Sequence, residues 1–416
     1  MKVVVLSCVF PPEPVVSGSV GRDVAVGLAR RGHDVTIITG YPSHPGGELY
    51  PGYRRRLFGR DTLEPSIDVR RCPATLSRTS TLPSRLLENL TFGLTSSLTL
   101  LLTPRPDIIF SNSWPVVATG LALGVARLRR IPVVLSVQDV YPESLVSQGR
   151  IRPGGFAARL LSAIDRTIAR RVARLAVISP HFAEIYRDDR RVPADRIVMV
   201  YNWRSTDGIE PLYPSAVFRA RKDIPADAFV FAYGGNVGAA AGVETVIRAC
   251  AHLTDGYRFL IAGRGSNLDA CRELAVETAP ERIIFHPDWP VEETAPALSA
   301  AEVLVLPTVG DQSLASVPSK LIAYLLCGRP VLALARPESD LADLIRVSGC
   351  GWVIPPDDPP AVARTLEEIR ALPRSELDRR GADGRRFALR ELTDEACLPK
   401  ILELVESAAG EYPVQP

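Results

Sequence analysis

Short apolar, β-branched runs alternate with helical stretches along most of the chain. Val3 to Leu6 is followed by a Pro/Gly/Ser loop from Pro11 to Gly21, a helix over about Arg22 to Arg31 and, after Gly32-His33, a second run from Val35 to Thr39. Strand, loop, helix and strand in this order make a βαβ unit, which builds a parallel sheet. Further strands are expected at Asp107 to Phe110, Ile131 to Val137, Leu175 to Ser179 and Ile197 to Asn202, with an apolar helix at 115–128 and a basic helix at about 155–173. Residues 40–83 are rich in Pro, Gly and Arg and read as a long irregular segment, a kind that is usually functional or mobile. After a Pro-bearing stretch at 203–225 the pattern restarts, with strands at Phe229 to Tyr233, Phe259 to Ala262, Ile283 to Phe285, Val303 to Leu306, Val331 to Leu334 and Trp352 to Ile354. The expected organisation is α/β, with one domain over residues 1–203, a second over 204–390, and a C-terminal helix within 391–416 that packs back on the first.

Length supports two cores: 416 residues exceed what one hydrophobic core usually serves. Hydrophobic residues at 46% and charged residues at 23% exclude a disordered or fibrous chain. The net charge of +2 hides an asymmetry, since residues 1–202 carry 27 Lys/Arg against 16 Asp/Glu and the remainder is net acidic. A basic half suggests contact with an anionic surface. The seven cysteines are scattered and never form a CxxC pair, and the five histidines fall at no ligand spacing, so neither a disulfide framework nor a metal site is expected. The first residues read as a buried strand and not a signal peptide. Arg85 to Leu102 is nearly uncharged except for Glu88; its Asn, Gly, Thr and Ser residues favour a core helix, or one lying in a bilayer surface, over a membrane span.

Candidate chemistry sits after the strands. Gly18 and Gly21 lie in the first loop, where the carboxyl end of a parallel strand receives ligands, although glycine can equally serve only the turn. Gln138 and Asp139 follow the strand ending at Val137, and Asp139 could instead cap a turn. In the second half come Gly234-Gly235-Asn236-Val237-Gly238, then Gly263-Arg264-Gly265-Ser266, then the turn His286-Pro287-Asp288-Trp289-Pro290. A helix is expected to open at Ser316 as N-cap, with Pro318, Ser319 and Lys320 in its first turn and Gly328 just past its end. Backbone donors, Arg264 and Lys320 on one rim suit a nucleotide diphosphate, with the base near 286–290.

In this order and spacing the motifs resemble a family 4 glycosyltransferase of the GT-B fold, of the bacterial exopolysaccharide and O-antigen type. The likeness runs from PPEP…SGSVG and GHDVTIIT through VQDVYPES, AVISP and VYNW to GGNVG, IAGRG, LSAAEVLVLPT and SVPSK…GRPV. It implies two Rossmann-like domains facing a cleft, a sugar nucleotide held mainly by the second, retention of anomeric configuration and no metal or other cofactor. It further implies that Gly18 approaches the donor phosphates, that Ser319 and Lys320 meet the diphosphate, and that Trp289 and Pro290 lie near the base. The chain departs from the family pattern at Ala315 and Ala323, where many members carry glutamate, at Ala240 in place of a frequent lysine, and at Gln138 in place of a frequent histidine.

The expected activity is transfer of a sugar from a nucleotide diphosphate donor, UDP-linked by preference, to a glycan or polyprenyl-diphosphate-linked acceptor. The residues assigned to it are Lys320, Arg264, Asp139 and Gln138 for catalysis, and Gly18, Gly235, Asn236, Gly238, Gly263, Trp289, Pro290, Ser316, Ser319 and Lys320 for the donor. A cytoplasmic protein peripheral to an anionic membrane surface is expected, with no nucleic-acid partner. A sugar-nucleotide epimerase on the same fold and a non-catalytic sugar-nucleotide-binding protein stay open. A nicotinamide-dependent dehydrogenase is disfavoured, because no GxGxxG follows the first strand.

Overall fold

The computed structural model describes residues 1–411 except 45, 58, 65–66, 78–80, 210–215, 239–240, 289, 311–313 and 315–316. The chain divides into two compact units, Met1–Trp203 joined by the segment from Cys397 onward, and Arg204–Ala396.

In the first unit the chain forms β1 (Lys2–Ser7), α1 (Val16–Arg30), β2 (Asp34–Gly40), β3 (Gly59–Glu64), β4 (Ile67–Cys72), α2 (Leu82–Leu102), β5 (Ile108–Asn112) and α3 (Val116–Leu128). It continues through β6 (Val133–Val137), α4 (Glu143–Ser147), α5 (Phe156–Ala169), β7 (Arg174–Val177), α6 (Pro180–Glu184) and β8 (Ile197–Met199). Among the described residues these strands make one eight-stranded sheet, ordered β3-β4-β2-β1-β5-β6-β7-β8. Every pairing is parallel except β3 with β4. Central strands such as VVVLS and VVLSV are buried on both faces, as a helix-covered parallel sheet requires.

Two expectations change here. Helix α1 begins at Val16, not near Arg22, so Gly18 lies in a helix and not in an open loop. A Cβ at Gly18 would meet Phe10 Cα and Val9 O at 3.2 Å, so this glycine lets the helix seat on the segment that follows β1. The irregular segment contains the β3–β4 hairpin, whose charged pattern lacks an apolar run; Arg71 pairs with Asp61 at 2.8 Å and Arg70 with Asp68 at 2.9 Å. Among the described residues no helix is long and apolar enough to cross a membrane.

The second unit runs α7 (Ala216–Arg221), β9 (Phe229–Gly234), α8 (Val243–Cys250), β10 (Tyr257–Ala262), α9 (Leu268–Thr278), β11 (Ile283–His286), α10 (Thr294–Ser299) and β12 (Val303–Pro307). Then follow α11 (Lys320–Leu326), β13 (Val331–Leu334), α12 (Asp340–Ser348), β14 (Gly351–Ile354), α13 (Pro359–Arg370) and α14 (Arg374–Glu391). Its six described strands are all parallel in the order β11-β10-β9-β12-β13-β14. The order reverses between β9 and β12, and such a switch point opens a crevice at the carboxyl ends of the strands. The last helix, α15 (Asp394–Glu411), returns to the first unit, where Glu406 pairs with Arg31 at 2.7 Å and with His33 at 2.9 Å.

Candidate functional site

The loops leaving β9 and β10 lie on one another in the second unit. Gly235 N–H donates to Ala262 O at 2.9 Å, Val237 N–H to Arg264 O at 2.8 Å, and Asn267 N–H to Val237 O at 3.0 Å. So close a stack needs glycine at Gly263, whose φ is +137°, because a Cβ there would run into Gly235 O. Gly235, at φ +151°, has Lys320 against it, since a Cβ would stand 3.2 Å from Lys320 Cε. Gly238 continues the same loop beside the Asn236 side chain.

Lys320 is the first residue of α11, and its ammonium donates to Tyr233 Oη at 2.6 Å while standing 4.6 Å over that ring. Tyr233 Oη donates in turn to Asn236 O at 2.6 Å, so one hydroxyl ties the lysine to the glycine loop. Tyr324, one helical turn after Lys320, accepts from Gly234 N–H at 2.7 Å and anchors α11 to the end of β9. Burial pushes the Lys320 ammonium down to about 8. A crevice of about 570 Å³ opens beside these loops, lined by Gly235, Asn236, Gly263, Arg264 and, from the 287–290 turn, Pro287, Asp288 and Pro290. Arg264 is exposed and forms an ion pair with Asp288 across this crevice. His286, buried at the end of β11, bonds Glu293 at 2.6 Å and packs edge-on to Phe218, which fixes the start of the turn.

The helix start differs from the expectation. It falls at Lys320, leaving Ser319 as an exposed N-cap with no side-chain capping bond, and α11 spans only seven residues. Gly328, at φ +65°, ends it as the sequence indicates. Trp289 and Ser316, with Ala240 and Ala315, lie outside the described residues. Ala323 is buried in α11, so it faces the core of the unit.

Gln138, Asp139 and Gly18 belong to the first unit. Gln138 turns back to Ser136, donating to its Oγ at 3.1 Å. Asp139 lines a separate pocket of about 530 Å³ between α2, α4 and α5. No donor among the described residues reaches its carboxylate, and burial pushes it up to about 6. The following segment, Tyr141 to Glu143, is held by Arg190, which donates to Tyr141 O at 2.9 Å, to Glu143 at 2.7 Å and to buried Asp165 at 2.9 Å.

Behind His44 and Arg85, which line the same pocket, stands a group that sequence reasoning missed. His44 Nε2 meets Glu88 Oε1 at 3.1 Å, and Arg85 donates to Glu88 Oε2 at 2.7 Å. Buried Glu13 accepts from the backbone N–H groups of Ser43 and His44 at 2.9 and 2.8 Å, and the His44 ring packs edge-on to Trp114. Against the upward push of burial, the bonds from His44 and Arg85 hold the Glu88 carboxyl below its ordinary value. The available signal was Glu88 itself, a lone carboxylate on the buried side of an otherwise apolar helix.

Residues 18–203 match the glycosyl transferase 4-like domain, and residues 228–371 match the glycosyl transferases group 1 domain. Among curated relatives, the chain is 24% identical over 383 residues to WcaI of Escherichia coli K12, named as a colanic acid biosynthesis glycosyl transferase, covering 90% of this chain and 93% of that one. Among solved structures it is similar to sucrose-phosphate synthase of Thermosynechococcus elongatus, with a TM-score of 0.75, 19% identity and coverage of 99% and 100% of the two chains. It is also similar to HepE of Anabaena in complex with UDP, with a TM-score of 0.70, 14% identity and coverage of 98% and 100%. Two parallel-sheet units, each matched along most of its length by a glycosyl transferase domain model, place the chain in the GT-B glycosyltransferases that join a 4-like domain to a group 1 domain.

Proposed function

We propose that the protein is a retaining hexosyltransferase that moves a sugar from a nucleotide diphosphate donor, UDP-linked by preference, to a lipid-linked or other glycan acceptor in cell-surface polysaccharide biosynthesis. The observation that carries this reading is the stacked pair of glycine loops beside Lys320 and Arg264 in the crevice of the second unit. The relation to WcaI and the UDP held by the similar HepE structure support the acceptor class and the nucleotide. The proposed place of work is the cytoplasmic face of the membrane, with the protein attached peripherally.

Breaking the anomeric bond develops negative charge on the leaving diphosphate and positive charge on the sugar ring. Groups already aimed at the phosphates supply the main stabilisation. Lys320 and Arg264 take this role without a metal, and Gly235, Asn236, Gly238 and Gly263 let the backbone approach the diphosphate. Ser319, just before Lys320 at the start of α11, is assigned to the phosphates together with Ser316, and Trp289 and Pro290 are assigned to the base. In the first unit, Asp139 receives the acceptor hydroxyl, and Gln138 orders the strand end through Ser136. As the acceptor oxygen bonds to the anomeric carbon, the bond from that carbon to the phosphate oxygen breaks, and the departing phosphate takes the hydroxyl proton.

Calorimetric titration with UDP and GDP tests the donor assignment. UDP binds the wild type and loses at least tenfold in affinity in Lys320→Ala; equal affinity in the two proteins would sink the assignment. Donor isomerised without any acceptor would instead establish the epimerase.

A further inference from the structure

We propose that Asp288 reads the ribose of the donor: its carboxylate accepts hydrogen bonds from the 2′- and 3′-hydroxyls, so that the crevice of the second unit takes ribonucleoside diphosphates in preference to their deoxy forms. The inference rests on the donor reading of that crevice and adds to it a residue that determines specificity.

The crevice has a polarity that follows from strand order. Lys320, at the start of α11, stands against Gly235 after β9; Gly263 and Arg264 follow β10; Pro287, Asp288 and Pro290 follow β11, the strand at the edge of the sheet. Neighbouring strands lie about 4.8 Å apart, so the rim runs from the lysine to the carboxylate over about 10 Å. A nucleoside diphosphate has the same polarity, with an anion at one end, a diol in the middle and a base beyond. With the diphosphate at Lys320 and the base at Pro290, the ribose falls between Arg264 and Pro290, where Asp288 stands.

The diol brings two O–H donors and needs acceptors. Among the described residues lining the crevice, Asp288 is the only carboxylate. An ionised carboxylate is acceptor-only and its two oxygens match two adjacent hydroxyls. Asp288 Oδ1 holds Arg264, while no donor among the described residues bonds Oδ2. Arg264 also removes a conflict, since a carboxylate standing alone would repel the diphosphate. A guanidinium carries five N–H groups in a planar fork, so one edge holds Asp288 and another faces the phosphate. In dinucleotide sites built on glycine loops, an acidic residue takes a ribose hydroxyl in the same way. Uracil is a poorer partner for this carboxylate, because its N–H lies between two carbonyl oxygens that repel it. The side chains of Arg264 and Asp288 are 71% and 80% exposed, so a ligand reaches both. An exposed ion pair contributes little to folding, so substitution of Asp288 leaves the unit intact.

The test is calorimetric titration of the full-length protein with UDP, 2′-deoxy-UDP, 3′-deoxy-UDP and GDP, repeated in Asp288→Ala. In the wild type each deoxy form is expected to bind about tenfold more weakly than UDP, the loss of one hydrogen bond to a charged group. In Asp288→Ala, UDP and its two deoxy forms are expected to bind alike. Equal binding of the three by the wild type would overturn the proposal. A preference for UDP that survives in Asp288→Ala would overturn it too, leaving Asp288 the task of holding Arg264 while another group reads the sugar. GDP binding more tightly than UDP, with that advantage lost in Asp288→Ala, would overturn it in favour of the paired N–H groups of guanine. Absence of binding by every nucleotide would remove the donor reading and this inference together, an outcome distinct from the others, in all of which UDP binds.

Discussion

With the donor diphosphate at Lys320, as proposed, the state of this lysine makes binding depend on pH in a direction that can be calculated. Burial against Tyr233 and Gly235 pushes its ammonium down to about 8 in the free protein. A diphosphate beside it favours the charged form and should return it toward the ordinary lysine value of about 10.4. The ammonium is therefore present without cost below pH 8, and above it binding must first take up a proton. Between pH 7 and 9 the dissociation constant for UDP should rise about tenfold, or about 1.4 kcal/mol, because the free lysine at pH 9 is only about one-tenth protonated. The same calorimetry in Lys320→Arg supplies the control, since guanidinium stays charged throughout this range. That variant should bind with an affinity nearly flat from pH 7 to 9, as should the weaker Lys320→Ala. In two buffers of different ionisation heat, the wild type at pH 9 should take up close to one proton per UDP bound. A wild-type slope equal to that of Lys320→Arg would refute the assignment of Lys320 to the diphosphate.

Two further outcomes concern the first unit. Arg190→Met leaves Asp165 in the interior with, among the described residues, the Tyr186 hydroxyl bonded at 2.9 Å, and should cost about 3–5 kcal/mol in urea denaturation, with Arg190→Met combined with Asp165→Leu recovering much of it. A loss below about 1 kcal/mol would show that the Tyr141 to Glu143 segment is held by other contacts. With its carboxyl near 6, Asp139 is protonated below that pH and ionised above it, so kcat/KM for the acceptor should climb as pH rises from 5 to 7 and should lose this step in Asp139→Asn. An unchanged profile in the variant would remove Asp139 from the reaction.

The parallel sheets were legible because their strands are buried on both faces and so appear as continuous apolar runs, as in Val303–Pro307. The β3–β4 hairpin was not, because its sequence GRDTLE is stabilised by ion pairs such as Arg71 with Asp61, which leave no apolar signature. Gly18, expected in the loop after β1, lies in α1, where the absence of a side chain allows the helix backbone to close on Phe10. Glycine in sequence shows that something comes near, but not what. The loops after β9 and β10 were recognisable by position after strands, yet their mutual stacking joins residues some 27 positions apart, and the contact of Tyr233 with Lys320 spans 87. The His44, Glu88 and Arg85 group was invisible for the same reason, since its members come from a loop and a distant helix face.

The return of α15 to the first unit has a consequence for biosynthesis. Gly27 in α1 is packed so closely by Leu402 that an added Cβ would stand 2.9 Å from its Cδ1, and Arg31 and His33 share Glu406. That surface of α1 stays bare until residues nearly two hundred positions beyond Trp203 have been made, a wait of roughly 10–40 s at ribosomal rates of about 5–20 residues per second. The second unit, continuous in sequence, has all its parts sooner. The half of the chain that is translated first is thus the last to be completed, and a fragment ending at Trp203 would expose to chaperones and proteases the apolar seat that α15 covers.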